Sequence, residues 1–249
     1  MPSRVDFKSQ RLFVDHQLAP ERRIELSPDQ ARYLLTVLRM ESGAELLVFN
    51  GAQGEWRARV ERQSKKAGSL EILHQTREQP RTSDVWLLFA PIRRGRIEFL
   101  VEKAVEMGVT HLVPVITDHT QHAKLRIDKL KATIIEAAEQ CGVLNVPSIV
   151  EPVALLPAIE RCQQTDRTLI FCDEMAEVAD PRSVLDGLKG QPVALLIGPE
   201  GGFSPGEREL LGQVPNARIV ALGPRILRAE TAAIAGLTLV QLLVGDWTD

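Results

Sequence analysis

The chain has 249 residues, enough for one large domain or two smaller ones. Its 44% hydrophobic and 25% charged residues are ordinary for a globular protein with a real core, and no run of about 20 apolar residues offers a membrane span. The net charge of −3 argues against a simple nucleic-acid binder, but the charge is unevenly spread. Residues 1–96 carry 17 Lys and Arg against 12 Asp and Glu, and the remainder carries 13 against 21, so the front of the chain is the part suited to phosphates.

The opening Met1 to Gln10 is polar and lacks the apolar core of a secretion signal, which points to a cytoplasmic protein. Arg11 to Val14 reads as a short strand. Ser27-Pro28-Asp29-Gln30 then opens a helix: Ser27 can cap, Pro28 suits the first turn, and Gln30 can close a capping box. Tyr33, Leu34, Val37 and Leu38 give that helix one apolar face. Glu45 to Phe49 and Glu55 to Val60 read as a hairpin about Asn50-Gly51, and Leu70 to Leu73 adds a strand. The polar stretch 76–83 contains Pro80 and reads as a linker, separating a first domain at 1–75 from a second at 84–249.

From Asp84 onward strands and helices alternate. Strands are expected at Val85 to Ala90, Leu112 to Ile116, Thr168 to Cys172, Val193 to Ile197 and Ala217 to Ala221. Helices are expected at Ile97 to Met107 (stopped by Gly108), at Lys129 to Gln140 (stopped by Gly142), after the capping box Ser204-Pro205-Gly206-Glu207, and at Thr231 to Val244. This alternation predicts an α/β domain with a mostly parallel sheet, behind a small β-rich unit.

Ligands of such sheets bind beyond the carboxyl ends of the strands. Three loops leave such ends: Asp173-Glu174, the glycine-rich 198–204, and 222–231. The second fits neither GxGxxG nor GxxxxGK[ST], so it is either a ligand loop of another kind or a tight turn, and a nicotinamide-dependent reductase is disfavoured. The third sets Arg225, Arg228 and Glu230 among apolar residues, as a site or as an internal Arg228–Glu230 ion pair. Cys141, Cys162 and Cys172 form no CxxC pair and read as small buried residues of a reducing compartment. Asp118, His119 and His122 suggest metal ligands, but no third spaced ligand accompanies the HxxH pair, so no metal is expected.

Taken together, LLIGPEGGFSPGE followed by ALGPRILRAETAA closely resembles the signature of SPOUT-class RNA methyltransferases, and in particular the ribosomal RNA small-subunit methyltransferase E family. RLFVD, YLLTVLRMESGAELLVFNGAQGEW, EFLVEKAVEMGVTHLVPV and IIEAAEQCG resemble that family in order and spacing, so the likeness runs from Arg11 through nearly the whole chain. Val143 departs from it, standing where the family usually has an arginine.

The resemblance implies a PUA-like β-barrel followed by a trefoil-knotted α/β domain, a homodimer, and S-adenosylmethionine as cofactor. It implies cofactor contacts from Leu196, Ile197, Gly198, Pro199, Glu200, Gly201 and Gly202 in the second loop. In the third it implies Leu222, Gly223, Ile226, Leu227, Arg228, Thr231 and Ala232, with Glu174 at the near edge. The family reaction is methylation of a uridine at N3 in 16S ribosomal RNA of the small subunit, at the decoding centre. Arg228 is then the first candidate to stabilise charge on the base, Arg225 the second, and Glu230 an orienting group or proton acceptor. Arg11, Arg32 and Arg39 would meet RNA phosphates, with Arg57, Arg59, Lys65 and Lys66; Arg93, Arg94 and Arg96 would join them. A SPOUT ribose 2′-O methyltransferase acting on tRNA or 23S RNA, or a catalytically silent RNA-binding protein, are the competing readings.

Overall fold

The computed structural model describes residue 6, residues 8–176 and residues 180–248. The chain divides into two compact units, residues 1–81 with 138–146, and residues 82–137 with 147–249.

The first unit is a five-stranded sheet. Its strands are β1 (Arg11–Phe13), β2 (Arg23–Glu25), β3 (Glu45–Phe49), β4 (Glu55–Arg62) and β5 (Gly68–Arg77), in the order β1-β3-β4-β5-β2. β1 and β3 are parallel and the other pairs antiparallel. The turn after β3 is held by Asn50, whose side-chain oxygen accepts from the backbone N–H groups of Ala52 and Gln53 at 3.1 and 2.9 Å. The helix α1 (Pro28–Ala31) starts with the expected reciprocal cap: Ser27 Oγ accepts from Gln30 N at 3.2 Å, and Gln30 Oε1 accepts from Ser27 N at 3.0 Å. It widens at once into a π-helical segment, Arg32–Val37. That widening changes the phase of the apolar stripe. Leu34 and Leu35 are buried, whereas Val37 and Leu38, expected on the same face, point to solvent.

Arg11 corrects a second expectation. It is 3% exposed, and its Nε donates to Glu55 Oε2 at 2.9 Å. Arg77 lies 3.5 Å from the same oxygen, and the Thr76 hydroxyl donates to Glu55 Oε1 at 2.9 Å. A buried carboxylate needs such partners, so Arg11 is spent on Glu55 and cannot reach a phosphate. The same group ties in the segment 138–146. Arg77 donates to the Gly142 carbonyl at 3.1 Å, and Phe13 N donates to Glu139 at 2.8 Å. Arg57 and Arg59 are also matched by carboxylates, those of Asp6, Glu45 and Glu71, while Arg32 and Arg39 are exposed.

The second unit begins with β6 (Val85–Phe89), α2 (Arg96–Glu106), β7 (His111–Ile116) and α3 (Ile127–Cys141), the last helix passing into the first unit from Ala138. It continues through β8 (Ser148–Ile149), β9 (Val153–Ala154), α4 (Leu155–Gln164), β10 (Thr168–Cys172) and α5 (Pro181–Val184). It ends with β11 (Val193–Ile197), α6 (Pro205–Gly212), β12 (Ala217–Val220) and α7 (Ala229–Leu243). Every pairing is parallel, in the order β12-β10-β11-β6-β7-β8, with β9 on β7. The central strands β6 and β11 are buried along their whole length, which is why they read as unbroken apolar runs. Phe89, Phe171, Phe203, Leu87 and Leu88 are among the largest fully buried side chains.

A polar cluster sits where β6, β7 and β10 begin. The Arg167 guanidinium lies 3.9 Å from the centre of the Trp86 ring, and the His111 ring lies 4.7 Å from it. Asp84 accepts from Arg167 and from the Thr110 hydroxyl. Burial pushes the His111 imidazole below its ordinary range, and the charges of Arg167 and Arg161 add to this against the pull of Asp84. Between the depressed folded value and the ordinary one near pH 6.5, the unfolded chain binds more protons, so stability there rises with pH. The contribution is present above about pH 6.5 and is lost as the solution is acidified through the folded value. Urea midpoints measured between pH 7 and pH 5 should therefore fall on acidification, and His111→Gln should flatten that slope; an unchanged slope would show that His111 does not cause it.

Candidate active site

β10, β11 and β12 finish level with one another. Cys172 pairs with Ile197 on one side and with Val220 on the other. The three loops that follow therefore leave the same edge of the sheet, and between them lies a cavity of about 190 Å³. Its walls include Cys172, Asp173 and Glu174 from the first loop and Ile197, Gly198 and Pro199 from the second. The third loop contributes the run from Ala221 to Leu227, and α7 contributes Ala229 and Ala232.

The first loop is pinned by Arg208 of α6. Its Nε donates to both Asp173 carboxylate oxygens at 3.2 and 3.1 Å, and its Nη2 donates to Glu174 Oε1 at 2.8 Å. The second loop divides its glycines between two tasks. Gly198 lines the cavity, and a Cβ there would come within 3.0 Å of the buried Phe203 ring. Gly201 and Gly202 do not line it. Their carbonyls face His119 Nδ1 at 3.0 Å, and Gly202, at φ +65°, leaves room for Glu174, whose Oε1 would lie 2.3 Å from an added Cβ. The loop then enters α6 through Ser204 and Glu207. Glu207 accepts from Ser204 N and Asp118 N, both at 2.9 Å, and Ser204 Oγ donates to Asp118 at 2.6 Å. His119 and Asp118, read from sequence as a metal suggestion, thus brace this loop.

The third loop is different. Among the described residues, the backbone of 222–227 makes no hydrogen bond. Its N–H and C=O groups are left to a ligand or to solvent. Ile226 is 89% exposed at the mouth. The first turn of α7 is equally open, because the Arg228 side chain makes no capping bond. Glu230 faces Arg96 rather than the expected Arg228: Arg96 Nε lies 3.8 Å from Glu230 Oε1, and Arg96 Nη1 donates to Glu200 Oε1 at 2.8 Å. The second Glu230 oxygen is buried and has no hydrogen-bond partner among the described residues. A buried carboxylate oxygen without a partner calls for an explanation, and its neighbours on α7, Ala229 and Ala232, line the cavity.

Of the residues expected to hold a cofactor, Glu174, Ile197, Gly198, Pro199, Leu222, Gly223, Ile226, Leu227 and Ala232 surround the cavity, as does Arg225. Leu196 is buried within β11, and Glu200, Gly201, Gly202, Arg228 and Thr231 lie outside the lining. Sequence reasoning passed over Cys172, Ala176, Ala221, Pro224 and Ala229. Cys172 was open to discovery, since it ends a strand that faces the ligand edge. Desolvation pushes its thiol up to about 12, so it stays protonated and is no nucleophile. Arg96, placed among the phosphate contacts by sequence, is occupied by Glu200 and Glu230. Arg93 and Arg94 are exposed.

A parallel sheet with this loop cluster, following a separate β unit, is the build of an RNA methyltransferase. Residues 78–241 match the family model of the RNA methyltransferase domain, and residues 26–73 match that of the RNA methyltransferase PUA domain. The chain is 30% identical to the ribosomal RNA small subunit methyltransferase E of Rickettsia conorii, over 95% of this chain and 96% of that one. The ribosomal RNA small subunit methyltransferase E of Neisseria gonorrhoeae, solved with S-adenosyl methionine bound, superposes with a TM-score of 0.85 at 26% identity, over 96% of this chain and 99% of that one. A Legionella pneumophila protein assigned as a methyltransferase, solved with its cofactor SAM, gives the same TM-score and coverage at 33% identity. The chain belongs to the ribosomal RNA small subunit methyltransferase E family.

Gly202 and Gly223 both have positive φ, +65° and +95°, but only Gly202 has a wall where a side chain would go. Gly223→Ala should cost about 1 kcal/mol of backbone strain, and Gly202→Ala about 2–3 kcal/mol, in urea denaturation. Equal losses would mean that Glu174 yields freely.

Proposed function

We propose that the chain transfers the methyl group of S-adenosylmethionine to N3 of a uridine in 16S ribosomal RNA, at the decoding centre of the small subunit. The observation that carries the cofactor reading is the third loop. Its unpaired backbone groups match the edge of a purine, the apolar Ile197, Leu222 and Leu227 match its faces, and Gly198 and Gly223 permit close approach. These residues, with Pro199 and Ala232, would hold the cofactor, which supplies a methyl group already electrophilic on its sulfonium.

The remaining difficulty lies with the base. Uracil N3 carries a proton at neutral pH, and its lone pair is exposed only when that proton leaves. Glu230 is assigned as the acceptor, because its second oxygen has no partner while Arg96 stands beside the first. Arg228, at the uncapped start of α7, would stabilise negative charge spread onto O2 and O4, helped by the positive end of the helix. Arg225, on the cavity wall, is the second cation for that task. The first unit, matched in part by the PUA model, would position the RNA through exposed cations such as Arg32 and Arg39.

The proposal includes a homodimer. Ile234, Leu239 and Leu243 of α7 are only partly buried and Leu242 is 46% exposed, which is apolar surface that a second copy would cover. It also includes the knotted path of the cofactor loops and a cytoplasmic setting. Among the described residues, no helix is long and apolar enough to cross a membrane.

The deciding measurement is methyl transfer from labelled S-adenosylmethionine to unmodified small subunits, read by nucleoside mass spectrometry. N3-methyluridine supports the proposal; a 2′-O-methyl nucleoside would overturn the target atom and keep the cofactor; no transfer, with cofactor still bound, would overturn the small subunit as substrate and leave either another RNA substrate or a binding role. Glu230→Gln and Arg228→Ala should each lower kcat by about 10²-fold or more while leaving the affinity for S-adenosylhomocysteine within about threefold. Full turnover in either variant would remove that residue from the chemistry.

A further inference from the structure

A second cavity of the same unit, about 210 Å³, has no part in the site described so far. Its floor is apolar, made by Ile92, Ile97, Leu125 and Leu130. Its rim is cationic, made by Arg94, Lys124, Arg126 and Lys129, with His122 beside them. The one carboxylate in its wall, Glu98, is already engaged: it accepts from the Gly95 N–H and from Lys129, and Arg94 lies 3.9 Å away. Among the described residues, no carboxylate pairs with Lys124 or Arg126, and both are exposed. Residues 97–249 carry 13 Lys and Arg against 21 Asp and Glu, so this gathering of cations runs against its surroundings. A strongly positive rim over an apolar floor suits a ligand that is anionic at one end and flat and apolar at the other.

The cavity is not isolated. A smaller hollow shares Ile92 and His122 with it, and shares Pro199 with the cavity between the three loops. Arg93, His119 and Glu200 line that intermediate stretch. The three hollows therefore adjoin one another, from the cationic rim to the cavity between the three loops.

We propose that the cationic cavity is a subsite for a nucleotide next to the methylated one in the RNA strand. This rests on the methyltransferase reading. The unpaired Lys124 and Arg126 would take its phosphates, and the apolar floor would take the face of the base or ribose. A duplex cannot enter a hollow of this size, so the strand is held here as an unpaired, splayed segment. The subsite fixes where along the strand the target base falls.

The test uses the full-length chain and unmodified small-subunit RNA. Ultraviolet cross-linking followed by peptide mass spectrometry should place nucleotide adducts on the segments 92–97 or 122–130. Adducts confined to other segments would overturn the proposal. The double variant K124A/R126A, both changes being at exposed positions, should weaken RNA binding about tenfold or more. It should also make the salt dependence shallower by roughly one to two counterions, with unchanged affinity for S-adenosylhomocysteine. Unaltered RNA affinity and salt slope would overturn the subsite. Neither readout needs turnover, so absence of methyl transfer would count against the proposed reaction, whereas adducts and salt slopes judge the subsite separately.

Discussion

The site depends on one constraint, the parallel register of three strands. Because Cys172 pairs with both Ile197 and Val220, three separate loops must emerge at one edge. A shift of one residue in that register would turn each side chain of β11 to the opposite face and carry Gly198 out of level with the other two loops. The pairing that ends β11 at Ile197 is also what sets Gly198 at the cavity.

The two signature loops contribute in opposite ways. The second is stiff, closed by Ser204, Glu207, Asp118 and His119, so that most of its polar groups are already satisfied. The third is open, with the backbone of 222–227 making no hydrogen bond among the described residues. The second loop thus offers a fixed wall, and the third offers backbone groups that a ligand can satisfy. Arg96 joins the two by standing between Glu200 of the second loop and Glu230 at the start of α7.

Much of this was legible in the sequence where a local rule decides the outcome. Strands β3, β10 and β11 coincide with their apolar runs, and both capping boxes form as spelled. Helix α4 was missed because Ala154 gives its start no polar cap, and its apolar residues follow directly on the short β9. β5 runs on through Thr76 and Arg77, which read as linker, because both side chains reach Glu55. The errors at the site share that origin. Arg11 and Arg96 are ordinary arginines in sequence, and their partners lie 44 and more than 100 residues away. Spacing suggested Arg228 as the partner of Glu230; only the packing of α2 beside α7 supplies Arg96.

The buried Glu55 also bears on how such a chain can be altered. Its neighbours Arg11 and Arg77 belong to the first unit by sequence, but Arg77 continues to the Gly142 carbonyl and Phe13 N to Glu139, residues carried by a segment that follows α2 and β7. The first unit is thus not a detachable prefix. A gene fragment ending near residue 81 would leave out those acceptors, and grafting the prefix onto a foreign catalytic part would do the same. Any exchange that keeps the first unit intact must carry residues 138–146 along with it.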